Sequence, residues 1–506
     1  MSAQKGFDND RYVEEQSAEI LKRVEKYNNR LYLEFGGKLL FDYHAARVLP
    51  GYDPNVKIRL LQNLKEQVDL LLCIHAGAIE RKKIRADFGI TYESDALKLI
   101  DDIRDRGIDV LGVVITRFEG QPSAQVFRNK LERRDIAVYT HAFTKGYPTD
   151  IDLIVSDQGY GANSYIESEK PLVVITGPGP GSGKLATCLS QLYHDHQSGA
   201  LKSGYAKFET FPIWNLPLKH PVNIAYEAAT ADLRDFNLID PFHLEAYGEK
   251  AVNYNRDVDA FPLLRRILEK ITGEESVYQS PTDMGVNRAG FAIIDDEVTR
   301  EAARQELIRR FFRYQCEYVL GFVDQETVNR AELLLKDNNL DPEDRPVVEP
   351  ARIAAREAEK QNKGDEGIFC GAAIELKDGT MITGNNSPLL HAAAGVVIHA
   401  IKHLAAVPAS IKLLPGEVLD SVSRLKTGIL NEKSVSLDLE EALIALSVSS
   451  NVNPQARQAM EKLGELRGCE AHMTHIPRPG DEAGLRSLGI NLTSDPNFST
   501  RDLFIS

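Results

Sequence analysis

The sequence predicts an α/β protein of several domains, built around a largely parallel sheet with a glycine-rich loop, a helical middle segment and a smaller α/β domain at the carboxyl end. Between residues 56 and 176, short apolar runs alternate with stretches whose apolar residues recur at helical spacing. A glycine-rich loop follows the last run, and a second strand pair lies around residue 378. We place the domains at 1–222 (α/β), 223–345 (mainly helical domain or insertion), 346–366 (linker) and 367–506 (α/β).

Composition narrows the class of protein. Hydrophobic residues make up 43% and charged residues 26% of the 506 residues, and no apolar run has the length that a bilayer span needs. The formal net charge of −14 argues against nucleic acid as the main partner. The five cysteines are scattered, and the amino terminus lacks the apolar core of a signal peptide, so we expect a cytoplasmic protein with reduced thiols and no disulfide.

The amino-terminal third predicts a helix over 8–28, a β-hairpin formed by 31–35 and 38–42 about a Gly-Gly turn, and then βαβ units. The expected helices lie at 56–66, 93–106 and 123–133, and the strand-like runs lie at 68–74, 110–116, 136–140 and 151–155. Ligands of parallel sheets bind at the carboxyl ends of the strands. Candidate binding residues there are His75, Thr116, Arg117, His141 and Lys145.

The glycine-rich loop is the strongest functional signal. It joins a strand over 172–175 to a helix that begins near Leu185, an order in which glycine-loop amides and the helix N-terminus bind phosphate. It resembles the P-loop G-x-x-x-x-G-K-[ST], with Pro178 in place of the first glycine and Leu185 in place of the hydroxyl residue that holds Mg²⁺. The candidate ligand-binding residues are Gly177, Gly179, Gly181, Ser182, Gly183, Lys184 and Thr187. A purely structural turn is the alternative.

A second pattern resembles the metal-organising strand that accompanies a P-loop. Four apolar residues, 291–294, lead into Asp295 and Asp296, which are the candidate Mg²⁺ ligands. The alternative is that one of these residues caps the helix that begins near Val298.

The carboxyl-terminal domain predicts a hairpin at Asp378-Gly379 and a helix over 388–404. With His391 at the helix start, this order resembles the first half of cytidine deaminases. Ala392 and Ala393 stand where the proton-carrying glutamate is expected, and no P-C-x-x-C follows, so we expect the topology without deamination. Cys469, His472 and His475 are a candidate metal cluster, although strand alternation turns His472 away from the other two.

Several stretches together resemble an uncharacterised bacterial family of about 500 residues, defined as a domain of unknown function. They are Gly-Pro-Gly-Pro-Gly-Ser-Gly-Lys at 177–184, Gly-Asn-Asn-Ser-Pro-Leu-Leu-His at 384–391 and Gly-Cys-Glu-Ala-His at 468–472. The label ATP-dependent peptidase, sometimes attached to members, finds neither H-E-x-x-H nor G-x-S-x-G here.

Three hypotheses follow. The first is a nucleotide-dependent (ATP-dependent) kinase, ligase or NTPase that acts on a small metabolite, with Lys184 and the amides of 181–185 on the phosphate. The second is a binding module that holds a nucleotide or phosphorylated metabolite without turnover. The third is a homo-oligomer whose glycine loop only packs. The expected partners are a small phosphorylated molecule and other copies of the chain, with no nucleic acid and no membrane.

Overall fold

The structure is a computed structural model that describes residues 5–27, 30–85, 89–199 and 201–501. The chain divides into two compact units, a first unit up to Ala303 and a second unit from Arg304 onward. Each unit has its own sheet and hydrophobic core. The α/β class that the sequence predicts is confirmed.

The elements up to the division of the chain alternate strands with helices for most of their length. They are α1 (Asn9–Lys26), β1 (Leu31–Phe35), α2 (Tyr43–Val48), α3 (Val56–Asn63), β2 (Val68–His75), α4 (Ala76–Glu80), β3 (Ile84–Arg85), β4 (Ile90–Thr91), α5 (Tyr92–Arg104), β5 (Val110–Thr116), α6 (Pro122–Glu132), β6 (Val138–His141), α7 (Ile151–Ile154), β7 (Leu172–Thr176), α8 (Lys184–Ser198), β8 (Gly204–Phe208), α9 (Pro221–Ala229), β9 (Asn237–Ile239), α10 (Pro241–Tyr247), β10 (Val252–Tyr254), α11 (Asn255–Thr272), α12 (Pro281–Met284), β11 (Gly285–Val286) and α13 (Asp296–Val319), within which the division falls.

The sheet of the first unit has seven parallel strands in the order β11-β8-β1-β7-β2-β5-β6. All five residues of β7 are buried, as are most residues of β2 and β5, because helices cover a parallel sheet on both faces. The strands expected at 68–74, 110–116, 136–140 and 172–175 are confirmed. β7, which leads into the glycine loop, lies between β1 and β2.

Three local expectations are wrong. The hairpin at 31–42 does not form, because β1 pairs in parallel with β7 and β8 and no strand follows it before residue 68. The run at 151–155 forms the short helix α7, whose first turn is capped by the Asp150 carboxylate accepting from the Leu153 N–H at 3.0 Å. The apolar residues before Asp295 form a 3₁₀ turn over 289–292 and no strand of the sheet.

The second unit contains a smaller mixed sheet with helices around it. Its elements after α13 are α14 (Gln325–Asp337), α15 (Val348–Lys360), β12 (Gly371–Glu375), β13 (Met381–Asn385), α16 (Ala392–Leu404), α17 (Gly416–Gly428), α18 (Leu439–Ser449), α19 (Pro454–Met460), β14 (Glu470–Met473), α20 (Pro479–Leu488) and β15 (Asn491–Ser494). The strand order is β13-β12-β14-β15, with β12 antiparallel to both neighbours and β14 parallel to β15. The hairpin at Asp378-Gly379 is confirmed. Residues 346–366, expected as a linker, contain α15, which packs on β12 through Ala351 and Ala373.

Two further properties concern the whole described chain. All five cysteines are free thiols, as their spacing predicts. Within the described residues, every helix is too short or too polar to cross a bilayer.

Candidate functional site

The glycine loop lies at the carboxyl edge of the central strand β7 and ends where α8 begins. Gly183 has a φ of +90° and is the N-cap of α8, a left-handed conformation that glycine adopts without strain. A Cβ atom there would also lie 2.7 Å from the Thr116 side chain, which donates a hydrogen bond from Oγ1 to the Ser182 carbonyl at 2.8 Å. The end of β5 therefore holds the loop in place, and only glycine fits at position 183.

The other glycines set how closely the loop approaches its neighbours. A Cβ atom at Gly177 would lie 2.5 Å from the Cys73 carbonyl of β2, and one at Gly179 would lie 2.5 Å from the Tyr92 hydroxyl. At Gly181, by contrast, a Cβ atom would meet nothing within 4 Å. The outer surface of the loop is therefore open at Gly181, which leaves space for a ligand.

Four backbone N–H groups of the loop are left without an acceptor by the described part of the chain. Among the residues that the structure describes, none accepts a hydrogen bond from the backbone N–H groups of Gly181, Ser182, Gly183 or Lys184. The half-buried Lys184 ammonium has one contact, 3.5 Å to the Ser182 hydroxyl, and forms no ion pair with any described carboxylate. The first turn of a 15-residue helix thus presents amides and a cation without a counterion, the arrangement that binds phosphate.

Further positive charge surrounds this edge of the sheet. Burial, and then Arg117, Arg81 and Lys83, lower the pKa of His75, which ends β2. These three side chains are exposed and form no ion pair with any described residue. Lys83 lies over the Tyr92 ring at 5.1 Å. His75 itself accepts a hydrogen bond from the Ala78 N–H at 3.1 Å, so its role at the edge is to cap α4.

A partly exposed cluster of charged side chains, Glu34, Lys207, Glu209 and Asp257, lies at the carboxyl ends of β1 and β8, on the other side of β7. We call this cluster the polar cleft, and it was not found from the sequence. Lys207 lies 2.7 Å from the Glu209 carboxylate and forms a second ion pair with Asp257 at the start of α11. Tyr205 donates a hydrogen bond to Glu34 at 2.8 Å. The signal that was available is a charged residue inside each buried strand, Glu34 in Leu-Tyr-Leu-Glu-Phe and Lys207 in Gly-Tyr-Ala-Lys-Phe.

The pKa values of the two carboxyl groups beside Lys207 are shifted in opposite directions. Burial raises the pKa of Glu209 to about 7, against the lowering effect of Lys207 and with the neighbouring Asp257 raising it further. Burial acts to raise the pKa of Asp257, but Lys207, Arg256 and the hydrogen bond with Glu209 together lower it. The cleft and the glycine loop act on the same thiol: burial raises the pKa of Cys73 to about 12, Lys184 lowers it and Glu34 raises it.

Comparison with known sequences places the chain in a family. Residues 5–339 match “Domain of unknown function DUF1846, N-terminal” and residues 343–504 match “Domain of unknown function DUF1846, C-terminal”. The chain belongs to the DUF1846 family. A UPF0371 protein of Clostridium botulinum (strain Langeland / NCTC 10281 / Type F) is 57% identical over 500 residues, and a UPF0371 protein of Clostridium tetani (strain Massachusetts / E88) is 56% identical over 499 residues, each match covering 99% of both chains. Neither DUF1846 description names an activity, so the function has to be inferred from the site.

Not every predicted binding residue of this DUF1846 chain faces the loop surface. Thr187 is fully buried on the inner side of α8, where its hydroxyl accepts a hydrogen bond from the Cys73 thiol at 3.4 Å and lies 3.5 Å from His141 Nδ1. Burial lowers the pKa of His141 to about 4, so this imidazole is neutral near pH 7. Thr187 and His141 therefore stabilise the interior behind the loop.

The predicted metal ligands have other contacts. The Asp295 carboxylate accepts from the Val298 N–H at 3.2 Å, in the first turn of α13. Asp296 lies 2.9 Å from His220 Nε2 and 2.6 Å from the Arg300 guanidinium. No group of three potential metal ligands occurs among the described residues. These contacts are those of a helix cap and an ion pair, and the strand that was expected to present the two carboxylates is absent.

Replacing Asp295 by asparagine separates the two interpretations. For a cap, we expect the free energy of unfolding to fall by about 0–1 kcal/mol, because asparagine also caps helices, with ligand affinity the same with and without Mg²⁺. Calorimetry in Mg²⁺ and in EDTA measures the affinity, and urea unfolding measures the stability. A Mg²⁺ dependence that is present in the wild type and lost in the variant would restore the metal-ligand hypothesis.

In the second unit, the predicted cluster of Cys469, His472 and His475 does not come together as a metal site. His472 is fully buried, with Nδ1 2.9 Å from the Thr493 hydroxyl and Nε2 3.5 Å from Asp495. The Cys469 thiol lies 3.8 Å from the Glu465 carbonyl, and His475 Nδ1 lies 2.9 Å from the adjacent Thr474 hydroxyl. All three residues are among those that the structure describes, and they belong to no group of side chains that could hold a metal ion.

His391 lies at the start of α16, where its Nδ1 is 2.7 Å from Asp481 of α20. The pair lines a cavity of about 30 Å³ together with Cys370 and Arg478. Ala392 and Ala393 are buried and carry no proton-transfer group. The likeness to cytidine deaminases and the expected lack of deamination both stay predictions.

Proposed function

We propose that this DUF1846 chain binds a nucleotide or another phosphorylated small molecule, with a phosphate group in the loop 177–184. The single observation that carries the proposal is the set of amides from Gly181 to Lys184, which have no acceptor among the described residues and lie beside an ammonium group without a counterion. The first N–H groups of every helix lack a partner within the helix, and here a lysine ammonium and an open glycine-rich loop lie beside them, which favours an anion.

The physics of the loop supports an anion over a neutral ligand. The amides at the start of α8 carry the positive end of its dipole, equivalent to roughly half an elementary charge, and Lys184 adds a full charge. The side chains of Arg117, Arg81 and Lys83 add further positive charge near the loop. A phosphate oxygen meets several of these donors at once, which is why amide-lined loops bind phosphate without a further cofactor.

A second candidate function is catalysis, as an ATP-dependent kinase, ligase or NTPase. It is favoured by Glu209, whose pKa near 7 suits a group that exchanges a proton at neutral pH, and by Lys207 beside it. Leu185 provides no hydroxyl group for Mg²⁺, and the carboxylates of Asp295 and Asp296 already accept hydrogen bonds within the protein. Mg²⁺ binding by these residues is therefore not part of this candidate function. Release of phosphate from ATP distinguishes this candidate from a module that binds without turnover.

Removing the Lys184 ammonium tests the binding proposal. In calorimetry with ATP, ADP and inorganic phosphate, we expect Lys184→Ala to weaken affinity by about 1–3 kcal/mol, roughly 5- to 150-fold, the contribution of a charge-assisted hydrogen bond. The fold should be unchanged because this side chain has one weak contact.

Lys130→Ala is the matched control, because this exposed lysine lies in the last turn of α6, at the opposite edge of the sheet. We expect it to bind as the wild type does. Wild-type protein that gives no heat with any phosphate compound, or a Lys184→Ala variant that binds as well as the control, means that the loop is only a turn.

The remaining proposals concern the setting of the protein. We propose a cytoplasmic homo-oligomer that does not bind nucleic acid, in line with the net charge of −14 and five free thiols. Light scattering of the purified chain measures the oligomeric state.

A further inference from the structure

We propose that the polar cleft of Glu34, Lys207, Glu209 and Asp257 binds the polyhydroxylated body of the phosphorylated ligand, so that the preferred ligand is a sugar phosphate or polyol phosphate. This inference rests on the proposed function, because it requires the phosphate group to sit in the glycine loop. It adds the chemical class of the rest of the molecule.

The distance between the cleft and the strand that leads into the glycine loop matches the length of such a ligand. Ile175 of β7 is in register with Glu34 of β1, and Glu34 is in register with Lys207 of β8. Neighbouring strands lie about 4.8 Å apart, so Lys207 is about 10 Å across the sheet from the strand that delivers the glycine loop. A hexose or an extended polyol with its phosphate ester covers that distance.

The charged side chains of the cleft are partly buried and remain accessible to solvent. The side chains of Lys207, Glu209 and Asp257 are 25%, 11% and 19% exposed. Burial is nevertheless the largest influence on the pKa of all three groups. These side chains are packed by protein and still reach solvent, so the hydroxyl groups of a ligand have access to them.

A buried tyrosine hydroxyl at the start of α11 has no hydrogen-bond partner among the described residues. Tyr254, which ends β10, is 4% exposed, and its hydroxyl has no hydrogen-bond partner among the described residues. Its ring stacks on Tyr226 at 5.7 Å. Tyr254 is the N-cap of α11, and Asp257 lies in the first turn of that helix. Burial, then Tyr226 and the carboxylates of Asp235, Glu209 and Asp257, raise the pKa of the Tyr254 phenol. An unsatisfied buried hydroxyl costs about 1–3 kcal/mol, a cost that a bound hydroxyl group removes.

The charge balance selects the kind of ligand body. Three carboxylates face one ammonium, so a second anionic group on the ligand would be repelled. A ligand ammonium would compete with Lys207, which already bridges Glu209 and Asp257. Hydroxyl groups donate to carboxylates and accept from an ammonium or a phenol, so a neutral polyhydroxylated body satisfies every group in the cleft.

Calorimetry with inorganic phosphate, glycerol 3-phosphate, glucose 6-phosphate and ATP tests this inference. We expect one of the two hydroxylated phosphates to bind wild-type protein at least tenfold more tightly than inorganic phosphate. Asp257→Asn should remove that advantage and leave the affinity for inorganic phosphate within twofold. The matched control is Asp259→Asn, an exposed carboxylate on the same helix, which should behave as the wild type does.

The outcomes separate the two proposals. Equal affinity for inorganic phosphate and both hydroxylated phosphates overturns the cleft inference and leaves phosphate binding by the loop intact. Tighter binding of ATP than of either, lost in Asp257→Asn, overturns it in favour of a nucleotide. No heat with any compound overturns the proposed function as well. Circular dichroism checks the fold of Asp257→Asn, and Glu209→Gln, which keeps the other carboxylate of the pair, replaces it where the fold is lost.

Discussion

Arg345→Met is expected to lower the stability of the second unit by about 3–5 kcal/mol, the range for breaking a buried ion pair on one side. The Arg345 side chain is 1% exposed and lies 2.8 Å from Glu470. It also donates to the Thr493 hydroxyl at 2.9 Å and to the carbonyls of Ala471 and Asn491, each at 3.1 Å. Methionine fills similar space and leaves these acceptors without a donor.

Hydrogen exchange of peptides from β14 and β15 is the appropriate measurement, because the single tryptophan, Trp214, belongs to the first unit and does not report on the second. Arg356→Met is the control: Arg356 is 55% exposed and pairs with Glu349 on one helix, so its loss should change stability by less than about 1 kcal/mol. Glu470 keeps a second partner, Arg309, at 2.7 Å. If the amides of β14 and β15 exchange as slowly in Arg345→Met as in Arg356→Met, the ion pair of Glu470 with Arg309 is sufficient and Arg345 does not stabilise the unit as proposed.

Gly183→Ala is expected to lower the free energy of unfolding of the first unit by about 2–4 kcal/mol and to abolish phosphate binding. Alanine at a φ of +90° costs about 1–2 kcal/mol, and its Cβ atom, 2.7 Å from Thr116, displaces the loop from β5. The displacement moves the amides on either side of it, so the ligand site is lost with the turn.

Gly199→Ala isolates the backbone part of this effect. Gly199 ends the same helix with a φ of +67°, and a Cβ atom there meets nothing within 4 Å. We expect a loss of about 1–2 kcal/mol and unchanged binding. Urea unfolding followed by Trp214 fluorescence gives both stabilities. Equal losses in the two variants would mean that Thr116 does not constrain the loop.

The sequence predicted those elements whose signal is local. Strands β2, β5 and β7 are apolar runs, rich in leucine in β2 and in β-branched residues in β5 and β7, and the helices between them show regular spacing, so the parallel sheet followed from the pattern alone. The hairpin at 31–42 failed because alternation of apolar residues describes one strand and not its neighbour. The partners of β1 are strands far away in the sequence, and a short Gly-Gly step imitated a turn.

The same limit explains what was found of the site. The glycine loop is contiguous, so residue types at fixed spacing identified it. The cleft joins Glu34, Lys207 and Asp257 through the pairing of β1 with β8 and the position of α11, and no spacing in the sequence encodes that. Thr187 was misplaced for a related reason, because which side of α8 faces the core depends on β2 and β6.

The position of β7 between β1 and β2 has a consequence for synthesis of the chain. The first two strands to be synthesised, β1 and β2, are not neighbours in the finished sheet. The strand that lies between them, β7, is complete only when residue 176 has been added. During that interval both hydrogen-bonding edges of β1 and one edge of β2 are open, and open strand edges favour association with other chains. The strand that connects β1 to β2 and the glycine loop are therefore synthesised within a few residues of each other, and a nascent chain that ends before residue 172 leaves β1 without either of its partners, β7 and β8.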